Sequence, residues 1–180
     1  MISMEERLFN LSFVGCLNRN RVLLASLVSG KPRRKIIDGL IKRKEKTLKS
    51  INEFVKWEHN NDYFYFAEDF NRGLKKDRYA FILKNSKIAL CPRGWVNTET
   101  FRLYEAMKAG CVVIAEKLPV RDYYKNIPVI QIEDWRNGLR IARKLIKDEK
   151  RLIELGNENR DFYNSHFHPK IVAAKIIKSI

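Results

Sequence analysis

Residues 111–115 (CVVIA) constrain the fold of this chain more than any other segment. Every side chain in the run is apolar, and Gly110 directly before it is a typical end for the helix predicted over 98–109. Strands that are apolar on both faces occur in parallel sheets that helices cover on both sides. The run therefore predicts a central strand of such a sheet.

The same alternation of strand and helix patterns extends along the chain. We predict strands at 9–15, 63–66, 87–90, 111–115 and 128–132. We predict helices at 20–28, 35–57, 76–85, 98–109, 135–147, 150–167 and 169–180. This order predicts an α/β fold with a Rossmann-like parallel sheet and helices on both faces, in a single domain spanning residues 1–180. Ligands in such folds bind beyond the carboxyl ends of the strands, which directs attention to residues 15–21 and 91–98.

Composition excludes several classes. The 180 residues are 45% hydrophobic, and no apolar run approaches the roughly 20 residues of a membrane span. The N-terminus lacks the pattern of a secretory signal, and Cys16, Cys91 and Cys111 form no paired motif, so we expect a cytoplasmic location. His166 and His168 have no third ligand nearby in sequence, so we expect no metal site.

Positive charge is concentrated in one segment of a chain whose net charge is +15. The basic residues of this segment are Lys31, Arg33, Arg34, Lys35, Lys42, Arg43, Lys44, Lys46 and Lys49. Asp38 and Glu45 are the acidic residues among them. A solvated helical face explains the pattern, and a peripheral contact with an anionic membrane surface is the functional interpretation.

The loop after the third predicted strand has the features of an anion site. Arg93 supplies a planar cation suited to phosphate oxygens, and Gly94 follows it. Asn97 or Thr98 is placed to cap the next helix through a side-chain oxygen. The free N–H groups at the start of that helix are a favourable position for a phosphate.

Helical spacing divides the next segment into two faces. Thr100, Leu103, Tyr104 and Met107 share the face expected to pack in the core, and Arg102, Glu105, Ala106 and Ala109 share the other. Arg102 and Glu105 are neighbours on the second face, which a surface ion pair would explain. In a ligand site the cation would meet a diphosphate, while the carboxylate would accept two ribose hydroxyls.

The segment resembles the C-terminal domain of exostosin glycosyltransferases, whose hallmark is close to CPRG…(S/T)xRLxEAxxAGCVPV. The chain has CPRG at 91–94, TFRLYEA at 100–106 and AGCVV at 109–113. Leu118, Pro119, Val120 and Asp122 resemble the LPF and acidic residue that follow in the family. Upstream, Gly15 and Arg21 are similar to the family's first strand, its glycine and its helix-borne arginine. Val113 departs from the pattern, because the family usually has proline there.

The resemblance implies the donor-binding domain of a GT-B enzyme, in which two Rossmann-like domains face each other across a cleft. Such a domain binds a nucleotide diphosphate sugar, typically a UDP-sugar, without an obligatory metal or other cofactor, for inverting transfer to a saccharide acceptor. It implies that Arg21, Arg93 and Arg102 stabilise the diphosphate and that Glu105 holds the ribose. It also implies that backbone at Gly15 and Gly94 approaches the ligand.

Two roles stay open. Asp122 is a candidate contact to the donor sugar or a structural residue, and no catalytic base is assigned. In GT-B enzymes the acceptor domain precedes the donor domain and usually supplies the base. We therefore expect the acceptor site, and full glycosyltransferase activity, to depend on a further N-terminal domain or a partner chain.

Other functions compete with this interpretation. Fucosyltransferase-like domains, which use GDP-fucose, have a TEK…AGxVPV pattern that Thr98, Glu99, Ala109 and Gly110 resemble in part. A basic nucleic-acid-binding module is a second alternative, supported by charge and by none of the usual motifs. A third is a donor domain that has lost catalysis and acts as an assembly subunit, with apolar surface exposed toward its partner.

Overall fold

A computed structural model describes residues 2–42, 44–58, 61–69 and 71–179. Five strands form one sheet in the order β2-β1-β3-β4-β5, and every neighbouring pair is parallel. The strands are β1 Phe9–Cys16, β2 Tyr63–Ala67, β3 Ser86–Cys91, β4 Val112–Glu116 and β5 Ile130–Ile132. Each predicted strand is present, and the predicted parallel α/β fold is confirmed.

Helices connect the strands and pack on both faces of the sheet. They are α1 Val22–Ser29, α2 Arg33–Lys42, α3 Lys44–Glu58, α4 Lys76–Lys84, α5 Phe101–Lys108, α6 Trp135–Leu145, α7 Glu149–Phe162 and α8 Pro169–Ser179. Short 3₁₀ turns lie at Arg19–Arg21 and Asp122–Tyr124, and a π-helical segment at Tyr163–Phe167. Within the described residues, no helix is long and apolar enough to cross a membrane.

Alternate residues of the central strands serve two separate hydrophobic cores. Ile88 and Leu90 of β3 point into a core shared with α1, α3 and α6, while Ala89 and Cys91 point into a second core shared with α5. All four side chains are fully buried. This burial on both faces is why the sequence of the strands is continuously apolar instead of alternating.

The strand order creates a switch point between β1 and β3. The chain leaves β1 toward β2 on one side, then crosses to β3 on the other side of β1. The loops that leave the carboxyl ends of β1 and β3 therefore separate and open a crevice, where ligands of doubly wound sheets bind.

Two predicted helices differ from the structure. The helix predicted over 35–57 is two helices, α2 and α3, and Arg43 between them lies outside the described residues. The helix predicted over 150–167 ends at Phe162 and continues as the π-helical segment. Continuous helical periodicity did not reveal either change, because both sides of each junction remain helix-forming.

Candidate functional site

A cavity of about 630 Å³ lies at the switch point between β1 and β3. We call it the switch-point cavity. Five of the site residues predicted from the sequence line this cavity, namely Gly15, Arg21, Gly94, Arg102 and Glu105. Further lining residues include Cys16, Ala67, Asp69, Gly73, Tyr79, Trp95, Glu99, Thr100, Phe101 and Tyr104. The fold thus brings together five predicted site residues from distant segments of the chain.

Arg102 projects from the first turn of α5 to the end of β1. Its Nε donates a hydrogen bond of 2.9 Å to the carbonyl of Val14, and its Nη2 donates to the same oxygen. Its guanidinium lies 4.8 Å from the centre of the Phe13 ring, within cation–π range. The Nη1 atom of Arg102 is buried and has no hydrogen-bond partner in the described structure.

Arg21 approaches the same aromatic ring from the junction between β1 and α1. Its guanidinium lies 5.5 Å from the centre of the Phe13 ring. Nη1 donates to the carbonyl of Cys16 at 2.7 Å, and Nε donates to the carbonyl of Arg93 at 3.1 Å. Burial, with the nearby charge of Arg102, lowers the pKa of Arg21 to about 10, so the side chain stays cationic at neutral pH.

The two arginines bring positive charge to the cavity, and no carboxylate of the described residues neutralises it. Among the described residues, neither Arg21 nor Arg102 forms an ion pair with a carboxylate, and backbone carbonyls fix both guanidinium groups. Buried cations without counter-ions are costly. An anion that enters the cavity would relieve this cost, and a diphosphate matches two planar guanidinium groups.

Gly15 also has a steric role that the sequence analysis does not predict. A Cβ atom built at Gly15 would lie 2.2 Å from Nη2 of Arg102 and 3.2 Å from the Phe13 ring. The missing side chain at this position thus provides space for the arginine of another element.

Glu105 lies one turn beyond Arg102 and is exposed at the cavity. Its Oε2 accepts a hydrogen bond of 2.7 Å from the hydroxyl of Tyr79 on α4. Burial raises the pKa of Tyr79, and the bond to Glu105 adds to the increase, so the hydroxyl remains a donor at neutral pH. The sequence analysis predicts the helix that contains Tyr79 but not its contact with Glu105.

The loop after β3 is fixed by its own backbone. The N–H of Gly94 donates to the carbonyl of Asn97 at 2.8 Å, and Nδ2 of Asn20 donates to the carbonyl of Gly94 at 2.7 Å. The side chain of Arg93 turns back to the carbonyl of Val96 at 2.9 Å and does not line the cavity. Asn20, which sequence reasoning missed, therefore ties this loop to the end of β1.

The predicted cap of the following helix is wrong. Thr100, and neither Asn97 nor Thr98, is the N-cap residue of α5, and its side chain makes no capping hydrogen bond. The turn that Gly94 and Asn97 close keeps the chain non-helical until Phe101. Asn97 and Thr98 do not line the cavity, whereas Thr100 and Phe101 do.

The face predicted for Ala106 is also wrong. Ala106 is fully buried beside Leu103 and Met107 in the second core, so it offers no surface to a ligand. Ala106 is three residues from Leu103 and so borders the core face, and the packing of α5 on β3 and β4 buries it. Arg102 and Glu105 remain at the solvent-facing edge of the helix.

Asp122 does not line the cavity and is exposed at the start of a 3₁₀ turn. Its neighbours attach this turn to Glu99, whose Oε1 accepts hydrogen bonds from Tyr123 at 3.0 Å and Tyr124 at 2.9 Å. Arg121 adds an ion pair to the same oxygen at 3.5 Å. Glu99 therefore joins the loop after β4 to the rim of the cavity.

Comparison with known protein families identifies the fold's relatives. The family model described as the RXYLT1 C-terminal domain matches residues 23–162, more than half of the chain.

The chain belongs to this family.

RXYLT1 is an exostosin-like xylosyltransferase, so the predicted resemblance to exostosin C-terminal domains is confirmed. Membership in the RXYLT1 C-terminal domain family indicates a glycosyltransferase-like domain. The matched segment contains Arg93, Arg102 and Glu105, and it begins after Gly15 and Arg21. A search of curated proteins found no match.

Proposed function

We propose that this chain is the donor-binding domain of an inverting glycosyltransferase that binds a nucleotide diphosphate sugar, most simply a UDP-sugar. The observation that carries the proposal is the pair Arg21 and Arg102, stacked against one ring and unpaired with carboxylates at the switch-point cavity. Family membership supports the reaction class, and the cavity supports the class of ligand.

The diphosphate would lie between these arginines and the start of α5. Guanidinium groups bind phosphate oxygens through two parallel hydrogen bonds, and helix N-termini add a favourable dipole. Preorganised positive charge of this kind stabilises a leaving diphosphate as the glycosidic bond breaks. We assign this role to protein cations and to no metal.

The ribose would lie against Glu105. An ionised carboxylate accepts two hydroxyls, and the bond from Tyr79 fixes its position without consuming its remaining acceptor sites. The spacing of Arg102 and Glu105 on one helix would then set the distance between diphosphate and ribose.

The acceptor is proposed to bind on the open side of the cavity. Trp95 and Phe101 line the cavity and remain 69% and 84% exposed, and Val96 beside them is 78% exposed. Apolar side chains exposed together at a cavity mouth are typical of surfaces that a partner covers. We propose that an acceptor-binding domain or partner chain, which would supply the catalytic base, covers them.

Thermal denaturation with nucleotides tests the donor site. UDP at ~100 times its dissociation constant should stabilise the domain by about 2.7 kcal/mol, which is roughly 5–10 °C for a domain of this size. UDP-xylose is the first sugar to compare, since RXYLT1 is a xylosyltransferase. An unchanged Tm at saturating UDP would contradict the proposal.

Two variants locate the ligand. Arg102→Ala and Glu105→Ala should each lose most of the UDP-dependent shift in Tm. The first removes a cation that donates hydrogen bonds to the diphosphate, and the second removes the carboxylate that accepts hydrogen bonds from the ribose. Arg136→Ala and Glu158→Ala are matched controls, since both side chains are exposed on other helices away from the cavity. Equal responses in all four variants would exclude the assigned site.

The same assay separates the alternatives. Thermal stabilisation by GDP and not by UDP would favour the hypothesis of a fucosyltransferase-like domain. Steeply salt-dependent binding of oligonucleotides, with no effect of either nucleotide, would favour a nucleic-acid-binding module. A cytoplasmic location belongs to this proposal and is consistent with three free cysteines.

A further inference from the structure

The basic segment at residues 31–49 has a defined surface that the donor site does not use. Nine basic and two acidic side chains give these residues a formal charge of +7, nearly half of the net +15 of the chain. Those that the structure describes form α2, the start of α3 and the loop before α2. Most of this charge is therefore carried on two packed helices.

These helices enclose a groove of about 660 Å³. Lys31, Lys35, Lys42 and Lys46 line it, and Asp38 is the acidic residue among its lining. Nζ of Lys31 donates a hydrogen bond of 2.9 Å to Oγ of Ser50 on the opposite wall. The groove thus offers several ammonium groups and hydroxyls, which suit a phosphate-bearing group.

The charges in the groove are largely uncompensated. The ion pairs on this face are Arg34 with Asp38, Lys44 with Glu68 and Lys49 with Glu53, at 3.7–4.0 Å. Within the described ranges, Lys35, Lys42 and Lys46 take part in no ion pair. These three side chains remain available to an external anion.

Apolar side chains are also exposed on α2. Ile36 of α2 is buried in the core, but Ile37 and Ile41 are 44% and 78% exposed. They are four residues apart, so they share one stripe on the outer face of the helix. The exposed surface of α2 therefore carries both basic side chains and two large aliphatic ones.

We propose that the α2–α3 face is a docking surface for an anionic lipid bilayer. Ile37 and Ile41 would enter the headgroup region, while the lysine-lined groove would hold a lipid phosphate. Transfer of an exposed isoleucine from water to a lipid interface is favourable, whereas contact with a hydrated nucleic-acid backbone removes little of its surface from water. The two isoleucines thus favour a bilayer over RNA as the anionic partner.

Vesicle sedimentation with the full chain tests this proposal. The chain should bind vesicles of phosphatidylcholine with about 30% phosphatidylserine, bind pure phosphatidylcholine much less, and dissociate as salt is raised. Each single replacement of Lys35, Lys42 or Lys46 by alanine should weaken binding about fivefold. The triple reversal Lys35→Glu, Lys42→Glu, Lys46→Glu should abolish it.

Matched variants separate local contact from overall charge. Lys144→Glu, Lys147→Glu and Lys150→Glu reverse the same number of exposed lysines elsewhere and should retain most of the binding. The double variant Ile37→Ser, Ile41→Ser should weaken vesicle binding severalfold and leave the salt dependence of binding unchanged. UDP-dependent stabilisation should persist in every one of these variants, so a failed donor site and a failed lipid surface give different results.

Several results would overturn the lipid assignment. They are equal binding to neutral vesicles, equal loss in both triple variants, and no effect of the isoleucine substitutions. Displacement from vesicles by millimolar inorganic phosphate would assign the groove to a soluble anion. Tight binding of an oligoribonucleotide, together with no binding to vesicles of comparable charge density, would assign the face to nucleic acid.

Discussion

The guanidinium of Arg102 occupies the space that a side chain at position 15 would need, since a Cβ there would lie 2.2 Å from Nη2. Gly15→Ala should therefore displace Arg102 from the carbonyl of Val14 and from the Phe13 ring. We expect UDP affinity to fall about tenfold or more, because the cation loses its position. Isothermal titration of UDP measures the change.

Gly94→Ala is the matched control for the effect of Gly15→Ala on the stability of the protein without nucleotide. A Cβ at Gly94 would meet its nearest atoms at 3.5 and 3.6 Å, which is ordinary contact. Gly15→Ala should lower the free energy of unfolding by about 1–3 kcal/mol through overpacking, and Gly94→Ala should have little effect. Equal stability of the two variants would contradict the assigned role of Gly15.

Tyr79 is expected to position Glu105 for the ribose. Tyr79→Phe removes the hydroxyl that donates to Oε2, so we expect UDP to bind about three- to tenfold more weakly. The loss should be smaller for 2′-deoxy-UDP, because the carboxylate then has less to hold. Tyr65→Phe, which removes an exposed hydroxyl bonded to the carbonyl of Arg72, is the control. An equal loss for both nucleotides would indicate a general structural effect.

Cys16 should report on occupancy of the cavity. It is half-buried in the cavity lining, whereas Cys91 and Cys111 are fully buried. Burial raises the pKa of Cys91 to about 12 and that of Cys111 to about 11, so both stay protonated and unreactive at pH 8. A thiol reagent should label Cys16 first, and UDP should slow that labelling. Mass spectrometry of peptides, with Cys16→Ser as control, checks this; label on Cys91 in the folded chain would contradict it.

Glu99 should hold the loop that follows β4. Glu99→Ala removes the acceptor of the Tyr123 and Tyr124 hydroxyls and the partner of Arg121. We expect amides at residues 118–127 to exchange about tenfold faster, because hydrogen bonds to a charged group are lost there. Glu154→Ala, which breaks a surface pair with Arg151, should leave those amides unchanged. Unchanged exchange after Glu99→Ala would show that the loop is fixed by other contacts.

Local patterns were sufficient to predict the framework of the fold. The apolar run at 111–115 and the glycine at position 110, which adopts a left-handed φ of 70°, specify a buried strand and a helix end. The positions of Arg102 and Glu105 also followed from helical spacing. These features depend on neighbours within one or two turns, so the sequence contains them directly.

Contacts between distant segments were not predictable in the same way. The position of Arg102 over Gly15 depends on the pairing of β1 with β3 and on the point at which α5 starts. The tie from Asn20 to Gly94 and the pair Tyr79–Glu105 likewise join segments that are remote in the chain. Periodicity does not record such pairs, and it did not show that Ala106, at the border between the two faces of α5, is buried.

The backbone carbonyls that fix Arg21 and Arg102 have a consequence for turnover. Because carboxylates do not neutralise these cations within the described structure, the attraction they exert should grow with the charge of the bound nucleotide. A free nucleoside diphosphate is more negative near neutral pH than its sugar ester, because its terminal phosphate ionises again near pH ~6. Under the proposed function, spent UDP would be retained more tightly than fresh donor. Product release would then limit the rate, and accumulated UDP would inhibit the enzyme.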